Sequence, residues 1–304
     1  MLDLTNPIYS DETAARKFLE SICWPDGAHC PHCGDLTNIK PLGGKAADKG
    51  LWHCGSCRKK FTVTVGTVFE RSHIPLGKWL AAFALMCSSK KGISAHQGHR
   101  MLGVTYKTAW FMWHRVREAM KAGHLRNVPP MGGKGKHVEA DETYIGTKAG
   151  AVRKQGTGHK MAVVSLVERG GKVRSFHVDR ATVSTIAPLI VKNVDIESTL
   201  NTDESKLYTR VGSRFAAHQV VHHRSEEFAR GSATTNNLES YFSVFKKGMK
   251  GVYQHCDERH LHRYVAEFDF RYNNRAALGV DDKERTREAL KGISGKRLTY
   301  QNTH

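Results

Sequence analysis

Two cysteine pairs constrain this chain more than any other feature. Cys30-Pro-His-Cys33 and Cys54-Gly-Ser-Cys57 are separated by 20 residues, and Gly34 and Gly55 give each turn room to close. A CxxC turn presents two sulfurs to one point, and two such turns supply the four soft ligands of tetrahedral zinc. The stretch is too small to hold a core of its own, so a metal on Cys30, Cys33, Cys54 and Cys57 staples it. The competing reading, a redox dithiol, needs one pair and not two. Cys23, Cys87 and Cys256 read as inert buried thiols. Seven cysteines, an odd count, follow a start with no basic segment leading into an apolar run. That argues for a reducing compartment and against a disulfide framework.

The charge balance names a class of partner. Against 29 acidic residues stand 47 Lys and Arg, a net charge of +18 in 304 residues. A surplus of that size suits a polyanion better than a small acidic substrate. A membrane is excluded by length, since the longest apolar run, Trp79 to Cys87, is about half of a spanning helix. Charged residues make up 25% of the chain, an ordinary share that argues against wholesale disorder.

Residues 92–120 carry a helix-turn-helix pattern. Ile93 to Met101 fits a short helix, Leu102-Gly103-Val104 a turn, and Thr105 a cap for the next helix. Ala109, Trp113, Val116 and Met120 then line one apolar face. Lys107, Thr108, Arg115 and Arg117 fall on the other faces, as side chains that reach phosphates and bases would. An ordinary amphipathic pair with a solvated basic face has the same pattern, and the net charge and the zinc knuckles favour DNA.

Elsewhere the pattern predicts a helix over 11–22, a strand over Phe61–Val65, and a linker over 121–137, rich in glycine and proline. From 138 come short β-like runs, a helix near 182–193, the strand-like STLNTD, a loop at 223–235, and helices at 236–250 and 259–275. Such alternation predicts an α/β or α+β domain. His218, His222, His223 and His255 read as solvated or satisfied, although each could touch a phosphate.

Three carboxylates stand out by context: Asp141 in VEADETYIG, Asp203 closing STLNTD, and Glu239 in NNLESYFSVFKKGMK. Glu239 and Lys246 are seven apart, so they share the polar face of a helix two turns apart. Clustered carboxylates in a basic protein suit Mg²⁺-dependent phosphoryl transfer, because hard cations take carboxylate oxygens.

These motifs, taken with KKFTVTVGTVFERSHIPLGKWL and HLHRYVAEFDFRYNNR, resemble the DDE transposases of bacterial insertion sequences. The resemblance is to the ISXO-type group with an N-terminal zinc ribbon, and it runs through nearly the whole chain. It implies a ribonuclease-H-like domain with a mixed sheet flanked by helices, the first two aspartates on adjacent strands and the third residue on a following helix. It implies Mg²⁺ (or Mn²⁺) on Asp141, Asp203 and Glu239, one structural Zn²⁺, cleavage at element ends, and attack of the freed 3′-hydroxyl on target DNA. Lys246, Lys247 and Lys250 become DNA contacts. The third acidic position stays open: 35 residues after Asp203 and a lysine seven further on select Glu239, whereas members of the group with asparagine there point to Asn236 or Asn237.

The sequence therefore predicts a multidomain α/β (α+β) protein. Its divisions are an N-terminal helix and zinc ribbon (1–70), a helix-turn-helix region (71–125), a linker (126–137), a catalytic domain (138–280) and a C-terminal tail (281–304). The predicted partners are double-stranded DNA, both element ends and target, and further copies of the chain, as a homodimer or larger. The predicted setting is the cytoplasm, at the nucleoid. The alternatives are a DNA-binding regulator of the same descent that no longer uses its catalytic core, and a structure-specific nuclease that cleaves without joining.

Overall fold

The computed structural model describes residues 3, 5–121, 128–221 and 234–299. The chain divides into two compact units, one of residues 1–123 with 274–304, the other of residues 124–273. No helix among the described residues is long and apolar enough to cross a membrane.

The first unit opens with α1 (Glu12–Cys23), capped by Asp11, whose carboxylate accepts from the amides of Thr13 and Ala14. The zinc-ribbon region is a three-stranded antiparallel sheet of β1 (Ile39–Pro41), β2 (Trp52–Cys54) and β3 (Lys60–Phe61), with α2 (Lys45–Asp48) between the first two. Trp24 meets Trp52 and Phe61 edge-on and closes a small core there. The strand expected over Phe61–Val65 ends at Phe61. Beyond it Thr62 and Thr64 bond each other at 2.8 Å, and Thr67 Oγ1 donates to the Thr64 carbonyl at 2.7 Å. Threonine hydroxyls thus offer this backbone turns in place of a ladder.

The apolar run forms α3 (Leu76–Ser88), and α4 (Ala95–Leu102) and α5 (Tyr106–Met120) form the helix-turn-helix. Ser94 caps α4, Gly103 ends it in the left-handed conformation at φ 59°, and Thr105 caps α5. The two helices meet closely at Gly98, where a Cβ would lie 2.4 Å from the Trp113 ring. The segment assigned to a tail contains α10 (Asp282–Lys291), which packs on α3. Arg285 donates to the carbonyls of Cys87 at 3.0 Å and Asn274 at 2.7 Å.

The second unit carries a sheet of β4 (His137–Ile145), β5 (Met161–Glu168), β6 (Val173–Val178), β7 (Thr199–Asp203) and β8 (Ala217–Val221). Their order is β6-β5-β4-β7-β8. The first three are antiparallel to one another, while β7 runs parallel to β4 and to β8. Helices α6 (Val183–Asn193) and α7 (Lys206–Gly212) cover one face. The other is covered by α8 (Asn236–Gly248) and α9 (Glu258–Asn273), with a π-turn at Met249–Tyr253 after α8. This is the mixed sheet between helices expected of a ribonuclease-H-like domain. The described part of the segment read as a linker belongs to this unit. Met131 is buried and exchanges backbone bonds with Asn193 and Asp195, both at 2.8 Å, and Gly133 donates to Ser198. The rest of that segment, 122–127, and most of the loop read at 223–235 lie outside the described residues, as do His222 and His223.

Replacing Gly98 by Ala tests the helix crossing. Helix propensity gains about 1 kcal/mol, but overpacking against a fully buried indole costs about 1–3 kcal/mol. A melting temperature lowered by several degrees is the expected net result, and an unchanged or raised one would show that the helices cross less closely.

Candidate functional site

The four knuckle cysteines form one cluster, with all four sulfurs within 4.8 Å of one another. Cys30 to Cys57 and Cys33 to Cys54 are each 3.6 Å, far beyond a disulfide bond. Tetrahedral thiolates about 2.3 Å from zinc would stand about 3.8 Å apart, so the cage fits the ion. Substituting Cys54 by Ser removes a ligand at the buried end of the cage. Purified protein should carry about one equivalent of zinc, the variant should lose it, and its N-terminal region should become protease-sensitive. A metal-free variant as resistant as the parent would refute a structural role for the ion.

The acidic residues are brought together at the end of the central strands. His137 pairs with Thr199 and Glu139 with Asn201 in the parallel β4–β7 ladder. Carried two residues further, the same offset sets Asp141 beside Asp203. Ladder pairing stops just before them. Alternation puts Glu139, Asp141 and Thr143 on the face that α8 and α9 cover. Glu142 points to the opposite face, where the Tyr208 hydroxyl donates to it.

Burial pushes the Asp141 carboxyl up to about 8, with repulsion from Glu142 and Asp203 adding to it and Lys246 partly offsetting it. Asp203 Oδ1 accepts from the Ser205 amide at 3.0 Å, where α7 begins. Glu142, Asp203 and Lys246 thus lie within electrostatic reach of Asp141, and Asp203 within reach of Glu142 as well. Lys246 is exposed on α8.

Position on α8 is set by a residue that the sequence reading passed over. Glu139 is fully buried. Its carboxylate accepts from the Asn237 amide (3.0 Å), the Asn237 side chain (2.7 Å) and the Leu238 amide (3.1 Å), and Arg169 approaches to 3.6 Å. The signal was present in the alternation of VEADE, which places Glu139 on the face of Asp141. Asn237 is thereby committed to Glu139. Asn236 and Glu239 both lie exposed in the first turn of α8, and Thr235 Oγ1 reaches Glu239 at 3.4 Å. Among the described residues, only the cysteines bring three or more potential ligands within 4.8 Å, so Asp141, Asp203 and Glu239 do not close to that distance.

The expected DNA contacts separate into two groups. Lys107, Lys246, Lys247 and Lys250 are exposed and Thr108 is half-buried. Arg115 and Arg117 are buried, and this corrects their assignment to a DNA-facing surface. Arg115 lies over Phe111 and near Trp79 and donates to the Leu298 carbonyl, so it serves the interior of its own unit. Half-buried His218 bonds Thr202 at 3.0 Å and is likewise satisfied internally.

The raised Asp141 carboxyl yields a pH test. Because its folded value, about 8, exceeds the usual carboxylate value of about 4, the folded chain holds the extra proton between them. Stability from this group therefore falls as pH rises from about 4 to about 8. Asp141→Asn should melt above the parent at pH 8 and approach it at pH 5, both without added divalent ion. A difference independent of pH would show that Asp141 is not held in this way.

Residues 132–273 match the model of the ISXO2-like transposase domain, and residues 10–60 match the transposase zinc-ribbon domain. A protein of transposable element ISH50 from Halobacterium salinarum is 26% identical over 282 residues, 86% of this chain and 91% of that protein. A chain of the simian T-cell lymphotropic virus intasome, solved with the PP2A regulatory subunit B56 gamma, aligns at 13% identity and TM-score 0.29. That alignment covers 60% of this chain and 66% of that one, at a score too low to bear on the fold.

Proposed function

Since the chain belongs to the ISXO2-like transposases and carries their zinc ribbon, we propose that it cleaves DNA at the ends of its element and joins the freed 3′-hydroxyl to target DNA. The observation that carries this reading is that Asp141 and Asp203 lie on neighbouring parallel strands just past the end of their ladder, with Lys246 in electrostatic reach of Asp141. The donors are carboxylate oxygens without thiolate or imidazole, which fits Mg²⁺ or Mn²⁺. Asp141 and Asp203 would hold the ion, with Glu239 as the third ligand.

A bound divalent ion would polarise the phosphoryl oxygens and make water a stronger nucleophile. The side chains supply position and charge. Asp141 and Asp203 are backed by the sheet, so their spacing is fixed by the strands. Lys246 meets the phosphate beside them, and no covalent protein nucleophile is needed. Glu239 is preferred to Asn236 because a carboxylate brings a full negative charge to a dication. Lys107, Lys247 and Lys250 hold the duplex. The chain works on DNA in the nucleoid as a homodimer or larger assembly.

The test is cleavage and strand transfer on duplexes bearing the element ends. Asp141→Ala and Asp203→Ala should each lose at least about 100-fold, beyond the cost of an outer-shell partner, while still binding the ends. Near-parental cleavage with Mg²⁺ by either variant would remove that residue from the site. Glu239→Gln should fail at low Mg²⁺. If it stays active while Asn236→Ala is dead, Asn236 takes the third place. Binding with no Mg²⁺-dependent cleavage by the parent would favour the regulator, and nicking without joining the nuclease.

A further inference from the structure

The segment joining β4 to β5 has no part in the catalytic reading, yet it begins beside the catalytic carboxylates. Residues 146–160 read GTKAGAVRKQGTGHK, with Lys148, Arg153, Lys154 and Lys160 and no Asp or Glu. The segment leaves β4 just past Ile145, four residues after Asp141. Its base is closed, since the Lys148 amide donates to the His159 carbonyl and the Lys160 amide to the Thr157 carbonyl, both at 2.9 Å. Lys148 is committed to Asp179, with Nζ at 2.9 Å from Oδ1. Arg153 and Lys154 are exposed, as is Val152 at 72%.

The returning limb comes back to the site. It meets β5 at Met161, which pairs with Ile145 across the ladder, and the neighbouring Tyr144 lies within electrostatic reach of Glu142, Asp141 and Asp203. Thr157 sits between Gly156, at φ +91°, and Gly158, and nothing lies within 4 Å of where a Cβ would stand at either glycine. A backbone without side chains can approach a ligand closely.

A group of carboxylates repels a phosphodiester, so cations must hold the DNA backbone there. Lys246 supplies one from α8. We propose that residues 152–160 form a clasp for a DNA backbone phosphate next to the reacting phosphodiester. Arg153 and Lys154 provide the charge, and Gly156-Thr157-Gly158 the close approach. The clasp rests on the transposase reading of the same site. The phosphate belongs to the element end or to the target, and one chemistry serves both.

The experiment uses the full chain with three variants. Arg153→Gln with Lys154→Gln removes the loop charge, and Thr157→Val removes the hydroxyl between the two glycines. Lys134→Gln with Lys172→Gln removes the same charge from exposed positions near the opposite end of β4 and β5. Cleavage of an end duplex and joining of a pre-cleaved end to a target are measured at physiological salt, with melting temperatures for all proteins. The loop double variant should lose about tenfold or more in at least one step at an unchanged melting temperature. Thr157→Val should weaken the same step, and the control pair should match the parent. Loss in cleavage alone places the phosphate on the element end, loss in joining alone on the target, and loss in both on each in turn. Unchanged rates, or equal loss in the control, overturn the clasp. Duplex binding against salt reads the clasp even if the parent proves inactive, an outcome that would sink the transposase reading instead. Losing the contact with one phosphate should flatten the slope of log affinity against log salt by about 0.9, and an unchanged slope overturns the clasp.

Discussion

A carboxylate with no water around it must be met by donors, and the catalytic-type unit is organised around one that is. Glu139 is fully buried on β4 and takes two backbone amides, one side-chain amide and an arginine. The amides belong to the first turn of α8, where unsatisfied N–H groups and the positive end of the helix dipole coincide. Leaving such a carboxylate unpaired would cost several kcal/mol. That cost pins the start of α8 beside the strand that carries Asp141. The rest of α8 then lays Leu238, Tyr241, Phe242 and Phe245 into the core and leaves Glu239 and Lys246 outside it.

The same unit shows how a chain of net charge +18 can hold an acidic site. Asp141 and Glu142 are successive residues, yet strand alternation sends them to opposite faces. Glu142 is held by Tyr208 behind the sheet, and Asp141 is left with Asp203 in front. The repulsion is stored at the strand ends, where the β4–β7 ladder has stopped. Unneutralised, that arrangement opposes folding.

Much of this was legible in the chain because it depends on short-range chemistry. The zinc cage follows from two turns and a spacer. The cap of the second helix of the helix-turn-helix follows from Thr105, whereas Ser94, read inside the first helix, turns out to cap it. The strand residence of Asp141 and Asp203 follows from the β-like runs around them. Legibility failed where a distant segment decides. Arg115 and Arg117 look solvated on a helical wheel, and nothing near Arg115 in sequence reveals that the Leu298 carbonyl returns to accept from it. Phe61–Val65 alternates like a strand, but threonine hydroxyls satisfy its backbone locally. The glycine- and proline-rich approach to β4 looks like a spacer, yet Met131 exchanges bonds with residues more than sixty positions later. Glu139 was readable only by asking what a carboxylate on the covered face would be paired with.

The return of the chain after α9 has a bearing on how the molecule is made. Residues 274–299 complete the first unit: α10 packs on α3, and the Val68 amide bonds the Ile293 carbonyl. During synthesis the second unit has all its residues before the first has its last helix. A ribosome that stops after α9 would release the whole second unit together with a first unit whose core lacks α10. The order of translation thus leaves the unit that carries the zinc-ribbon region to be finished last.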